Sequence, residues 1–447
     1  METIEINTGC GKIRGIIKGG CREFLGVRYA RAGRFEYADP ISSWEGTYDA
    51  THFGNACPQT RQFYQHLENP ERLFYYREFR EGIEFNYDED CLNLNIYTPD
   101  GDRNSPVIIY IHGGGFNSGA NSESPFDGSR LAGRGIVTVF INYRVGVLGY
   151  LSCEETQSQY GRCGNFGLDD QMVAVKWVKE HIADYGGDPD NITLMGQSAG
   201  AMSIQLMCIN HANEGLFNRA IMMSGAGLFP KFARPRHAEE CFEYWQLYME
   251  LAGCGSLDEL KTVDIKTLFD AVEKIKALRR DTLLNTMPVV DGSLVSGPVG
   301  ELIEHPLNID YMIGCTNNDM YAPALAYIAM KFGRRNGAYM YYFDLDAPGG
   351  DGNAAFHSCD LRYAFETLDK SRRPYSSRDY KASRQLASYI ANFARCGDPN
   401  GSSLPWWNKA SGSKPVLCFG PEYTQPGSYN WEKLTKNFIT IGNPKAN

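Results

Sequence analysis

The absences in this sequence narrow it first. None of its 447 residues fall in an apolar run near the roughly 20 that a membrane-crossing helix needs, so no spanning segment is expected. Lysines and arginines number 44 against 53 aspartates and glutamates, a net charge of −9, and no basic stripe gathers anywhere. That balance speaks against nucleic acid as a partner and against an electrostatic hold on a membrane surface. The 13 cysteines are scattered and include no C-x-x-C pair, which argues against a zinc site and against a dense disulfide scaffold. Met1–Asn7 carries acids and no apolar leader, so a reducing, cytoplasmic setting is expected. There is no internal repeat, no low-complexity tract and no stretch with the composition of a flexible linker.

What is present reads as an ordinary globular chain, 43% apolar and 22% charged. Short apolar runs recur at 106–111, 136–142, 192–196, 219–223, 310–315 and 339–344, with helical stretches between them. Nearly continuous apolar strands imply burial on both faces, hence an α/β fold with a mainly parallel sheet covered by helices. Leu168, Met172, Val175, Val178 and Ile182 recur every three or four residues on one helix face, which stops at Gly186–Pro189. Leu386, Ile390 and Phe393 mark a second helix that ends near Gly397. Amphipathic segments between the strands at 219–223 and 310–315 read as an insertion over the site. The expected organisation is one domain, 1–447, with a helical cap insertion at about 226–306.

The chemistry begins at Gly196-Gln197-Ser198-Ala199-Gly200, which follows an apolar strand and precedes a helical run. A G-x-S-x-G turn between strand and helix is the nucleophile elbow of an α/β-hydrolase. Upstream, the strand at 106–111 runs into His112-Gly113-Gly114-Gly115-Phe116. Successive glycines leave backbone N–H groups open to a substrate oxygen, as acyl transfer requires for its oxyanion. Such a loop supplies one side of the oxyanion hole, and the amide after the nucleophile, Ala199, supplies the other.

In this fold the triad partners follow the serine in the order acid, then histidine. Of the histidines beyond Ser198, His211 and His237 precede any strand that could deliver the acid, and His305 sits at a helix terminus before a proline. His357, in a loop after the strand at 339–344, is left as the base. Asp319 lies just past the strand at 310–315 and leads for the acid. Asp291 is its rival, although Asp291-Gly292 also reads as a simple turn.

Over nearly its whole length the chain resembles the type-B carboxylesterases, the family of bacterial para-nitrobenzyl esterases and cholinesterases. The matching stretches are Phe24–Ala30, Glu89–Asn95, His112–Phe116, Asn142–Gly146, Gly164–Gln171, Gly186–Pro189 and Phe393–Gly401. The resemblance implies a triad of Ser198, Asp319 and His357, with the Gly114, Gly115 and Ala199 amides as oxyanion donors. The family's acid stands five residues beyond a strand-ending glycine, here Gly314, and its histidine precedes an acid-containing run, here His357–Leu361.

Three departures stand out. The family has glutamate and glycine where this chain has Asp319-Met320, and glutamate where Gln197 precedes the serine. Only 38 positions separate Asp319 from His357, so the helices that normally line one wall of the gorge must be reduced. Cys57 and Cys91 resemble a disulfide pair of secreted members; in a cytoplasmic protein thiols are expected. The resulting expectation is a serine esterase acting on a small-molecule ester through an acyl-enzyme, with no metal or organic cofactor. The same fold and triad also admit an amidase or lactonase, and the family includes non-catalytic adhesion members, which typically lack the serine.

Overall fold

The computed structural model describes residues 2–101, 104–225, 228, 235–319, 325–352, 354–410, 416–420 and 424–427. One sheet of 13 strands runs through it. In chain order these are β1 (Glu2–Thr8), β2 (Gly11–Lys18), β3 (Cys21–Arg28), β4 (Thr47–Asp49), β5 (Asn93–Pro99), β6 (Ser105–Ile111) and β7 (Val137–Ile141). They continue with β8 (Gly187–Gln197), β9 (Arg219–Met223), β10 (Asp310–Thr316), β11 (Tyr339–Phe343), β12 (Val416–Phe419) and β13 (Thr424–Gly427). Their order across the sheet is β1-β2-β3-β5-β7-β6-β8-β9-β10-β11-β12-β13, with β4 beside β2. From β7 to β12 every neighbour is parallel.

The central strands are parallel because both of their faces are covered. Every residue of β6 and β7 is buried, and their side chains are mostly apolar or aromatic. The N-terminal hairpins, which the apolar-run criterion passes over, are half-exposed strands with alternating burial. Gly19 and Gly20, at φ +60° and +78°, make the tight turn between β2 and β3. The run at 192–196 also understates its strand, which begins at Gly187. Its pairing with β6 jumps from Gly187 to Ile192 across the Asp188-Pro189 kink, while Gly186, at φ +93°, ends the helical run as expected.

The helices that matter here are α1 (Pro70–Phe79), α2 (Phe166–His181), α3 (Ala199–Cys208), α4 (Phe242–Leu251), α5 (Leu257–Thr262), α6 (Ile265–Leu278), α7 (Asp360–Ala364) and α8 (Ser377–Cys396). Leu168, Met172, Val175 and Val178 all face inward from α2, and Leu386, Ile390 and Phe393 from α8. Gly397, at φ +80°, closes α8 in the left-handed conformation that favours glycine. Helices α4 to α6 lie between β9 and β10, inside the span expected to form a cap. Residues 226–227 and 229–234 of that span lie outside the described residues. These helices pack toward the N-terminal region: Phe269 meets Phe63, and Arg34 donates to the Val263 carbonyl. The chain beyond them, at Leu284 and Met287, reaches the elbow.

Among the described residues, no helix is long and apolar enough to cross a membrane. The carboxyl ends of the parallel strands share one edge, and β6, β8, β10 and β11 each deliver a candidate site segment there. The elbow of β8 and α3 can lie so close to β6 only because residue 200 has no side chain. A Cβ on Gly200 would stand 2.0 Å from the Ile111 carbonyl oxygen. Gly200→Ala is therefore expected to push α3 off β6, costing about 1–3 kcal/mol or more and abolishing turnover. Thermal denaturation alongside an ester assay checks both.

Candidate active site

The parallel strand β8 ends in the elbow, and Ser198 turns the chain at φ +56° and ψ −123°. A non-glycine residue there is strained, typically by about 1–3 kcal/mol, and it stays only where its surroundings fix it. They do so on every side. The Ser198 amide donates to the Met223 carbonyl at 2.9 Å, and its own carbonyl accepts from Met202 at 2.9 Å in the first turn of α3. The glycines either side allow it, since a Cβ on Gly196 would stand 2.7 Å from the Gly200 carbonyl carbon.

The His112–Phe116 loop is braced so that its carbonyls are occupied. His112 Nδ1 donates to the Gly113 oxygen at 2.9 Å, and the amides of Asn117 and Ser118 donate to the Gly114 oxygen, both at 3.1 Å. Asn117 Nδ2 donates to the Gly115 oxygen at 2.8 Å, and the Gly146 amide to the Phe116 oxygen at 2.6 Å. With four successive carbonyls held, the loop keeps one backbone orientation, as a loop that donates to an oxyanion would need to. Gly114 is obligatory: its φ is +115°, and a Cβ would come within 1.9 Å of the Ser118 oxygen. Gln59 braces the loop from below, accepting from the Gly119 amide at 3.0 Å. The buried His112 ring stacks on Tyr143, and burial pushes its pKa down to about 4, so it stays neutral. Sequence reasoning missed Gln59 and Asn117; Asn117 could have been suspected from its place just after the glycine run, and Gln59 carries no such signal.

His357 and Asp319 meet through a short backbone bridge. The Asn318 amide donates to the Ala355 carbonyl at 3.0 Å, and Asn318 pairs with Phe356, so the next residue on each strand falls side by side. His357 Nδ1 then donates to Asp319 Oδ2 at 3.0 Å, with the aspartate side chain fully buried. The 38-residue separation that looked short in sequence is what this direct bridge spans. Arg373 clamps the histidine loop, with its guanidinium over the Phe356 ring and bonds to Glu78, Asp351 and the Pro348 carbonyl.

Burial disfavours a charged His357, but the Asp319 carboxylate, by charge and by hydrogen bond, outweighs it. With help from Asp360, the ring's pKa rises above the ordinary imidazole value. Asp360 is itself fully buried; burial pushes its pKa up to about 6, against the hydrogen bond it accepts from Tyr341 at 2.8 Å. Gly314 makes room for Tyr341, whose ring would lie 1.9 Å from a Cβ there. This glycine sits inside β10, two residues before its end, and its role is steric.

The other candidates lie elsewhere. Asp291 caps its own turn, accepting from the Ser293 and Val295 amides. His211 is held on the surface by Glu214 and the His305 carbonyl, and His237 is exposed. Cys57 and Cys91 are free thiols packed against each other. Among the described residues, no group of three or more His, Cys, Asp or Glu side chains is placed to hold a metal.

Beside the elbow, Phe116, Met202, Leu206, Leu228, Met287 and Pro288 line a small, half-open hollow. Met202 is one turn along α3 from Ser198, and Phe116 follows the oxyanion loop directly. The surface the hollow offers a group attached at Ser198 is mainly apolar.

A nucleophile elbow within reach of an HGGG-type loop is the mark of the α/β-hydrolase class, and comparison with known proteins narrows it. The chain belongs to the carboxylesterase family, whose profile matches residues 2–329 and 320–430. Carboxylic-ester hydrolysis by a serine hydrolase is accordingly its class of activity. It is similar to the para-nitrobenzyl esterase of Bacillus subtilis (strain 168), 29% identical over 98% of this chain and 99% of that one. Neuroligin-3 of Mus musculus is 34% identical over 70% of this chain, but over only 42% of its own length. Among solved structures, a PNB esterase superposes with a TM-score of 0.84 at 26% identity, covering 97% of this chain and 99% of its own.

Losing the Asn117 side chain would free the Gly115 carbonyl and loosen the oxyanion loop. Asn117→Ala is expected to lower kcat about tenfold with little change in KM, since about 1.4 kcal/mol is one hydrogen bond's worth. Steady-state kinetics on a nitrophenyl ester read both constants.

Proposed function

We propose that the chain is a serine carboxylesterase that works through an acyl-enzyme on Ser198, His357 and Asp319, on esters with an apolar acyl group. The observation that carries this reading is the buried Asp319 carboxylate 3.0 Å from His357 Nδ1, in a molecule whose strand-to-helix elbow holds Ser198 at a strained φ of +56°. A carboxylate only accepts, so the neutral ring must carry its proton on Nδ1 and present a lone pair at Nε2.

As Ser198 Oγ attacks the ester carbonyl, its proton passes to His357 Nε2 and the carbonyl oxygen becomes an oxyanion facing the Gly114, Gly115 and Ala199 amides. Collapse breaks the bond to the alcohol, which leaves with the proton from Nε2. Water then repeats the sequence on the acyl-enzyme and releases the acid. Asp319 stays ionised throughout and stabilises the imidazolium. Among the described residues, Ser198 Oγ makes no hydrogen bond to His357 in this resting arrangement. Such bonds often tighten only when substrate is bound. The apolar hollow supports the acyl preference, and the unpaired thiols support a reducing, cytoplasmic setting.

A fluorophosphonate is expected to label Ser198 stoichiometrically and no other residue, as read by peptide mass mapping; an adduct elsewhere, or none, overturns the reading. Ser198→Ala should keep the fold and lose turnover. Asp319→Asn, which favours the wrong imidazole tautomer, should lose about 10⁴-fold in kcat, whereas Asp291→Asn should stay near wild type. The reverse pattern would require a different acid.

The pH profile follows from the raised His357 value. The base works only when neutral, so activity is lost as pH falls through a midpoint above the ordinary value of about 6.5. A profile flat to pH 5 would rule out His357 as the base.

A further inference from the structure

Among the described residues, a neutral amide meets the Nε2 edge of His357. Gln197 ends β8 immediately before the elbow, and its Nε2 lies 3.1 Å from His357 Nε2. Its amide oxygen sits against the oxyanion loop, where a Cβ on Gly113 would stand 2.8 Å from it. The residue is 3% exposed, so its amide is packed in place between the loop and the ring.

Hydrogen-bond chemistry orients this pair. His357 Nδ1 must donate to Asp319, so Nε2 of the neutral ring has a lone pair and no proton. Of the two ends of the Gln197 amide, the NH₂ is the one that can donate to it, which turns the amide oxygen toward Gly113. On an imidazolium both ring nitrogens donate, and the same NH₂ would face an N–H. The contact therefore favours the neutral ring and disfavours the charged one. Among the described residues, the charged groups acting on the ring are Asp319, in direct contact, and Asp360 farther off on α7. Both are carboxylates and both favour the charged ring. Gln197 opposes them from the third side.

We propose that Gln197 is a positioning residue that holds His357 in the Nδ1–H form, with its Nε2 lone pair directed at the elbow and its protonation resisted. The inference rests on His357 being the base proposed above. In the resting enzyme the Gln197 amide occupies the lone pair that the Ser198 hydroxyl needs, and the serine replaces it as substrate binds. A carboxylate at position 197 would act in the opposite sense, accepting from Nε2–H and stabilising the imidazolium.

The test reads the ring directly, by ¹⁵N NMR of histidine-labelled full-length protein across pH. Wild type should show His357 protonated on Nδ1 alone, with Nε2 at the position of a nitrogen that accepts a hydrogen bond. In Gln197→Met that Nε2 resonance should move toward an unbonded nitrogen. In Gln197→Glu the ring's titration midpoint should rise by at least about 1 unit, and the acid limb of kcat/KM should move with it. A wild-type Nε2 without a hydrogen bond, or a midpoint unchanged in Gln197→Glu, overturns the proposal. His357→Ala separates the two readings: if it still turns over ester, the assignment of the base fails, whatever the ring spectra of the other variants show.

Discussion

Serine at φ +56° and ψ −123° is a conformation the chain would not adopt unaided, and the rest of the site depends on holding it. The constraint is met by closeness of backbone to backbone. Gly196 and Gly200 let α3 fold back over the end of β8, and Gly200 lets it press on the last carbonyl of β6. That contact brings the elbow against the loop leaving β6, which is the loop that carries Gly114 and Gly115. The proposed nucleophile and oxyanion donors are thus placed by one packing event, and neither can shift without the other.

Electrostatics completes the arrangement with few charges. Two buried carboxylates, Asp319 and Asp360, flank His357 and draw its protonation upward against the cost of burial. The oxyanion side has no charged side chain in the loop, only amides whose partner carbonyls are held by Asn117, Ser118, His112 and Gly146. His112 stays neutral because burial lowers its pKa to about 4. Oriented dipoles in a partly dry site do what mobile charges do poorly, because they need no reorganisation as the oxyanion develops.

Much of this was legible in the sequence, and the rest was not for identifiable reasons. The elbow and the glycine loop are local motifs, so the strands of β6 and β8 and the residues Ser198, Gly114, Gly115 and Ala199 could be named directly. His357 and Asp319 followed from chain order, and the structure brings them within 3.0 Å. The N-terminal hairpins were missed because half-exposed strands alternate and leave no apolar run. Asp360 was visible only as part of an acidic run after the histidine; its burial depends on Tyr341, which depends on Gly314 having no side chain. The Gln197 contact joins residues 160 positions apart, and sequence gave only an oddity, an amide where the resemblance leads one to expect an acid.

The most direct measurement is a crystal structure of the protein after reaction with a fluorophosphonate. The expected result is a covalent bond from Ser198 Oγ to phosphorus, with the phosphoryl oxygen about 2.7–3.1 Å from the amides of Gly114, Gly115 and Ala199. The phosphonyl substituent should lie toward Phe116, Met202 and Met287. An adduct on any other residue, or a phosphoryl oxygen turned to solvent away from the glycine loop, would contradict the account.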